Sequence, residues 1–246
     1  FPLQLMALQA LLFDVDGTLA DTEAHGHWPA YALAFAQFGL NWQWSRELYR
    51  ELLLQPSGRE RLIHFIKQYK PDRGRYKAEV RYALNEFVAS LHRAKSEYFS
   101  QLAKQGQIPL RPGIAKLITQ AYHADIKLGI VTNASHASLR TVLDEVLRAP
   151  LRDYFTVVIT GEDVGRKKPY PDAYLFALRE LGIDAANAMV IEDSAMGLQA
   201  ATRAGLKTVV TINDDTADQD FTHAWRVVDD LVSGGIDLQT LQKACW

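Results

Sequence analysis

Two carboxylates two residues apart, Asp14 and Asp16, stand in the stretch Ala10-Leu11-Leu12-Phe13-Asp14-Val15-Asp16-Gly17-Thr18. Leu11, Leu12, Phe13 and Val15 form an apolar run of the kind that a strand buried on both faces presents. Gly17 then permits a sharp turn, because it has no Cβ to clash. A strand ending in two acids puts negative charge at the carboxyl edge of a sheet, where open α/β sheets bind ligands. The two carboxylates repel each other, and a dication relieves that repulsion; hard oxygen ligands of this sort suit Mg²⁺. The competing interpretation is a surface turn, since Asp-Gly is a common turn signal. The acid and glycine spacing does not match a calcium-binding EF-hand loop.

Three further polar groups follow apolar runs. Thr132-Asn133 comes after Leu128–Val131, Arg166-Lys167-Lys168-Pro169 lies in the loop after Phe155–Thr160, and Glu192-Asp193 comes after Met189–Ile191. Each has a plainer reading by itself. Thr132-Asn133 and Glu192-Asp193-Ser194 both suit helix caps, and the three cations suit a solvated loop. In a parallel sheet, however, the carboxyl ends of the strands share one edge. Four polar strand ends on one edge make one site a better account than four coincidences.

The elements that carry these groups alternate. Helical patterns at Ile114–His123, Ser138–Leu147, Pro171–Leu181 and Leu198–Ala204 interleave with strands at Leu128–Val131, Phe155–Thr160, Met189–Ile191, Thr208–Ile212 and a short Arg226–Val228. Such alternation predicts an α/β fold with a doubly wound parallel sheet. A terminal helix is expected in the last dozen residues. Residues 23–107 differ in texture. Trp28, Tyr31, Phe35 and Phe38 mark one helix face, and helical patterns continue through Arg46–Leu54, Glu60–Tyr69 and Tyr76–Leu102. This predicts a small helical domain inserted after the first strand.

Composition excludes several function classes. The 246 residues carry a net charge of −2, which gives no basis for a nucleic-acid or membrane-surface partner. No apolar run reaches the length of a membrane span. Phe1–Leu8 is apolar but lacks a basic segment, so it is not read as a signal peptide, and Met6 is a candidate natural start. The single cysteine, Cys245, allows no intrachain disulfide and is assigned no role; a reducing, cytoplasmic location and a monomer are expected.

Taken together, Asp14-Val15-Asp16-Gly17-Thr18, Thr132, Lys168 before Pro169 and Glu192-Asp193 resemble, in order and spacing, the four signature motifs of the haloacid dehalogenase-like superfamily. The resemblance covers essentially the whole chain. It implies a Rossmann-like core over 1–22 and 108–246 with an inserted α-helical cap over 23–107. It implies that Asp14 is the nucleophile, forming an aspartyl phosphate, and that Asp16 is the general acid and then the base. Thr132, Asn133 and Lys168 would bind the phosphoryl group. Asp14, Asp16 through its backbone carbonyl, Asp193 and Glu192 would hold Mg²⁺, with Glu192 beside the ion or on its waters. Dehalogenases of this superfamily lack an acid two residues after the nucleophile, so Asp16 favours phosphoryl transfer.

Within the superfamily, Leu40-Asn41-Trp42, Tyr49-Arg50-Glu51-Leu52-Leu53, Gly58-Arg59-Glu60-Arg61, His92-Arg93-Ala94-Lys95 and Leu110-Arg111-Pro112-Gly113 resemble the CbbY-type phosphatases. That resemblance implies a phosphorylated sugar as substrate, xylulose-1,5-bisphosphate above all. It offers Glu23, His27, Arg59 and Lys95 as the cap's substrate contacts, with His25 also considered. Around Ala24–Trp28 the chain carries one residue more than the family pattern, which leaves open which histidine is used. His25 and His27 diverge on a helix and do not suit a metal pair. Two alternatives stand beside the phosphatase: a phosphomutase of the β-phosphoglucomutase kind, and a binding protein that kept the fold without catalysis.

Overall fold

The structure, a computed structural model, describes residues 7–244. The expectations for Phe1–Met6 and for Cys245 lie outside the described residues. The chain divides into two compact units, one of residues 1–21 and 110–246 and one of residues 22–109.

The first unit is built on six parallel strands: β1 (Ala10–Phe13), β2 (Lys127–Val131), β3 (Phe155–Ile159), β4 (Ala188–Glu192), β5 (Lys207–Thr211) and β6 (Arg226–Val228). Their order is β3-β2-β1-β4-β5-β6. The chain winds outward from β1 on one side, then crosses back and winds outward on the other. The reversal lies between β1 and β4, the position at which open α/β sheets place their ligands. β1 is fully buried and pairs on both edges, with Leu12 opposite Gly129 on β2 and Val190 on β4. Gly129 is small for a reason, since a Cβ there would lie 2.7 Å from Leu12 Cδ2.

Helices cover the sheet. Ile114–His123 buries Ile114, Leu117, Ile118 and Ala121, the i, i+3, i+4, i+7 stripe of an amphipathic helix. Asp172–Leu181 packs Ala173, Tyr174 and Ala177 into one cluster with Leu12 and Val190. It ends at Gly182 with φ +65°, a conformation a β-carbon disfavours. Strand limits differ from the sequence expectation by one or two residues. The expected helix over Ser138–Leu147 begins earlier, at His136, and its second half, Val142–Leu147, is wound as a π-helix.

The second unit is entirely helical, with Trp28–Gln37, Arg46–Leu52, Gly58–Tyr69, Lys77–Tyr82 and Leu84–Lys104 as its α-helices. Its core is aromatic: Tyr31, Phe35, Trp42, Trp44, Tyr49, Phe65 and Phe87 are buried together. Phe35 meets Trp42 and Trp44 edge to face, with ring centroids 5.3 and 5.1 Å apart. Ser45 and Ser57 cap two of the helices by accepting from Leu48 N and Glu60 N. The single helix expected over Tyr76–Leu102 is broken at Ala83, which sits at φ −142°, ψ 48°. Residue type does not mark that break, since alanine is the best helix former.

Glu23–His27 is a π-helical turn that runs directly into Trp28–Gln37. A π turn closes its hydrogen bonds over one residue more than an α turn. It coincides with the segment where one extra residue was expected.

Leu12 is central to the sheet and completely buried. Leu12→Ala is expected to lower stability by about 3 kcal/mol through lost transfer energy and the cavity left behind. Urea denaturation of the purified chain measures this, as a lower midpoint with little change in slope.

Candidate active site

β1 delivers Asp14 to the sheet edge one residue beyond its last paired position, and β4 delivers Glu192 and Asp193 beside it. The carboxylates of Asp14, Glu192 and Asp193 each offer an oxygen within 4.8 Å of the others, and all three residues are buried. Three acids at that spacing are untenable without positive charge. Lys168 supplies one such charge. Its Nζ donates to Asp14 Oδ1 at 2.7 Å, Glu192 Oε1 at 2.6 Å and the Val131 carbonyl at 2.8 Å, and the residue is only 3 % exposed. All three protons of the ammonium are thereby used. Burial pulls the ammonium's pKa down, but Asp14 and Glu192 outweigh that and leave it well above the ordinary lysine value.

Lys168 is fixed through its backbone as well. Asn133 Oδ1 accepts from Lys168 N at 2.9 Å, and Asn133 Nδ2 donates to Lys168 O at 3.2 Å. The Asn133 amide, expected from the resemblance to bind phosphate, is here engaged in holding the lysine's main chain. Thr132 is buried, and its Oγ1 accepts from Ala134 N at 3.0 Å. Its hydroxyl does not cap the following helix; Ser135 does that. Of the three cations in the 166–168 run, only Lys168 is buried, while Arg166 pairs with Asp172 at the surface.

Glu192 is the most heavily engaged of the acids. Its Oε1 accepts from Lys168 and from Tyr174 Oη at 3.1 Å. Its Oε2 accepts from the N–H groups of Asp193 and Ser194 and from Ser194 Oγ. Gly197, one turn into the next helix, leaves no room for a Cβ because the Glu192 carboxylate lies against it. Ser194 also caps that helix, so this motif both caps a helix and holds an acid of the cluster. Asp193 is held differently, by Thr18 Oγ1 at 3.3 Å and Asn213 Nδ2 at 2.8 Å. Asp16 is half-buried, and its carboxylate is not part of the three-acid group.

The chemistry of this donor set fits a divalent cation. Burial raises the Asp14 carboxyl to about 8; Lys168 opposes the rise, and Glu192 and Asp16 add to it. One ammonium faces three carboxyl groups, and a hard dication held by Asp14 and Asp193 would supply the missing charge. Glu192, with both oxygens already accepting, is better suited to orient the site than to bind the ion directly.

The helical unit contains a second polar cluster. Glu23 is buried and accepts from Tyr49 Oη, and it forms an ion pair with Arg61 at 3.4 Å. His27 stacks on Phe99, with its Nδ1 2.6 Å from the buried Lys95 Nζ. His25, by contrast, is exposed, as is Arg59. Burial, followed by the charge of Lys95, pushes His92 down to about 3, with Arg59, His27 and Arg61 acting in the same direction. Tyr49 and Arg61 were not singled out from the sequence. Arg61 follows Arg59 in a helix with no marker to choose between them, and Tyr49 reads as one more core aromatic.

A family model described as haloacid dehalogenase-like hydrolase matches residues 11–211. Protein CbbY of Cereibacter sphaeroides is 40% identical over 235 residues, which span 94% of this chain and 97% of that protein. The chain is a haloacid dehalogenase-like hydrolase of the CbbY group. A crystal structure of CbbY from Rhodobacter sphaeroides in complex with phosphate superposes with a TM-score of 0.84 at 40% identity, covering 95% of this chain and 99% of that one. A mutant of the same protein, crystallised with xylulose-1,5-bisphosphate, gives a TM-score of 0.83 over 94% of this chain and 100% of that one. A putative β-phosphoglucomutase from Thermotoga maritima is more distant, at 25% identity and a TM-score of 0.65, covering 89% and 94%.

Removing the lysine head tests the charge balance directly. Lys168→Met is expected to cost roughly 3 kcal/mol at pH 7.5, because it leaves Asp14 and Glu192 buried without their cation. Burial already raises the Asp14 carboxyl, and without Lys168 nothing opposes that rise, so the deficit shrinks as pH falls and Asp14 takes up a proton. Urea denaturation of both proteins at pH 7.5 and pH 5 measures that narrowing.

Proposed function

We propose that this chain is a Mg²⁺-dependent phosphatase that cleaves a sugar bisphosphate, xylulose-1,5-bisphosphate in the first place, through an aspartyl phosphate on Asp14. The observation that carries this reading is the buried cluster of Asp14, Glu192 and Asp193, only partly balanced by Lys168, at the switch point of the sheet. The likeness to CbbY over nearly the whole chain supports the reaction class and the substrate.

Asp14 and Asp193, with the Asp16 carbonyl, would hold the ion, which when bound draws phosphate and carboxylate together and spreads the transferring charge. Asp14 Oδ1 is committed to Lys168, so attack on phosphorus falls to its other oxygen. As that bond forms, the bond from phosphorus to the sugar oxygen breaks, and Asp16 gives its proton to the departing alkoxide. Water then attacks the same phosphorus, Asp16 takes a proton from it, and Asp14 leaves as a carboxylate. Lys168, already aligned by the Val131 carbonyl and Glu192, balances the charge on the phosphoryl oxygens without reorganising. Thr132 is proposed as a donor to those oxygens. Within the helical unit, Glu23, His27 and Lys95, joined by Arg61 and Tyr49, are proposed as sugar and distal-phosphate contacts. A cationic cluster of this kind suits a second phosphate.

Incubation with xylulose-1,5-bisphosphate and Mg²⁺ is expected to release inorganic phosphate, and a chelator to abolish the release until Mg²⁺ is restored. Asp14→Asn is expected to lose at least about 10³-fold in kcat, since it removes the nucleophile. Full activity in that variant would refute the aspartyl-phosphate route. Phosphate release from other sugar phosphates but not from the bisphosphate would refute the substrate alone. Isomerisation of a hexose phosphate primed by a bisphosphate would favour the mutase instead.

A further inference from the structure

We infer that Asn213 is a positioning residue for the cation, holding Asp193 so that a single carboxylate oxygen is presented to the ion. The inference rests on the cation-dependent reading above and concerns a residue outside the four motifs.

Asn213 lies two residues past β5, and Asp193 one residue past β4, so the parallel pairing of these strands brings the two side by side. Asn213 Nδ2 donates to Asp193 Oδ2 at 2.8 Å. The orientation of the amide is fixed by its other half. Asn213 Oδ1 accepts from Asp215 N at 2.9 Å, closing an Asx turn, so the amide nitrogen has to face the carboxylate. The loop is tied again by Asn213 N donating to Thr216 Oγ1 at 3.1 Å, and by Thr216 N and Ala217 N donating to the Asn213 carbonyl at 3.0 Å. The amide is therefore held in place before any ligand arrives.

Gly17 completes the pocket around the same oxygen. It sits at φ +82°, and a Cβ there would run into Asp193 Oδ2 and come within 2.9 Å of Asn213 Nδ2. One carboxylate oxygen is thus enclosed by Asn213 and the Gly17 backbone, while Oδ1 accepts from Thr18 Oγ1 at 3.3 Å. A neutral donor on Oδ2 stabilises the ionised carboxylate and stops it from rotating. It also disfavours two-oxygen chelation, the mode open to a larger and more adaptable ion such as Ca²⁺.

The test is direct binding of Mg²⁺ by titration calorimetry, without substrate, to the wild-type protein, Asn213→Ala and Thr216→Val. Loss of a hydrogen bond to a ligating carboxylate is expected to weaken Mg²⁺ binding roughly ten-fold in Asn213→Ala. Thr216→Val breaks a loop tie without touching Asp193 and is expected to bind as the wild type does. A shift in the apparent Mg²⁺ requirement for turnover, with KM for the sugar phosphate unchanged at saturating metal, is expected to accompany the loss. Equal weakening in both variants would trace the effect to the loop and overturn the inference. So would unchanged binding in Asn213→Ala, or no Mg²⁺ binding by the wild type. Weakened binding in Asn213→Ala alone, in a protein that releases no phosphate from any sugar phosphate, would uphold the inference and reject the phosphatase.

Discussion

A buried ammonium between buried carboxylates is the constraint on which this molecule turns. Lys168 lies within hydrogen-bond distance of both Asp14 and Glu192, and no member of that trio is tolerable in the interior without the others. Such a group gains little stability from its own attraction, because desolvation offsets most of it. Its value is positional. Each proton of the ammonium has a named acceptor, and each oxygen of Glu192 has at least two donors. A fully satisfied network in a low-dielectric setting has one geometry, and the Asp14 carboxylate inherits it.

The sheet makes that network possible. Asp14 and Lys168 are 154 residues apart in sequence, and Lys168 and Glu192 are 24 apart. Parallel winding from a central β1 brings the carboxyl ends of β1 and β4 together at the reversal of strand order. Small residues maintain the close approach. Gly129 makes room for Leu12 in the sheet, Gly17 for Asp193 at its edge, and Gly197 for Glu192 in the first turn of a helix. The last explains an irregularity in the sequence. A glycine inside a helix looks like a weak start, yet Ser194 caps this helix from Ala195, and residue 197 is glycine because the Glu192 carboxylate occupies the space a side chain would fill.

What was legible in the sequence follows from the same physics. The core strands are short apolar runs bounded by polar ends, and the polar ends carry the chemistry, so pattern and site were visible together. The helical unit was legible as helical but not in detail. The break at Ala83 and the π turns at Glu23–His27 and Val142–Leu147 carry no marker in the sequence pattern. The second set of contacts was also hidden. Asn133 reads as one more polar strand end, yet its amide serves Lys168; Asn213 lies beyond the motifs, and only the register of β4 with β5 brings it to Asp193. Positioning residues leave little trace in spacing, because their partners are distant in sequence.

The two units of the chain differ in how their polar groups are committed. Lys168 and Glu192, beside Asp14, are fully engaged with other protein atoms, which suits a site that handles a phosphoryl group, common to many substrates. Little is left there to recognise a particular sugar. Discrimination between phosphorylated sugars then has to come from polar groups elsewhere in the chain. The helical unit holds a cluster of the right character, with Glu23 set between Tyr49 and Arg61, and Lys95 beside His27. Burying an acid, a lysine and an imidazole in the helical unit lowers its stability unless those groups have another use. A structural role is a poor account of that cost, because apolar side chains of similar size fill such space more favourably. The proposed role of these groups in contacting the sugar and its second phosphate would account for that cost.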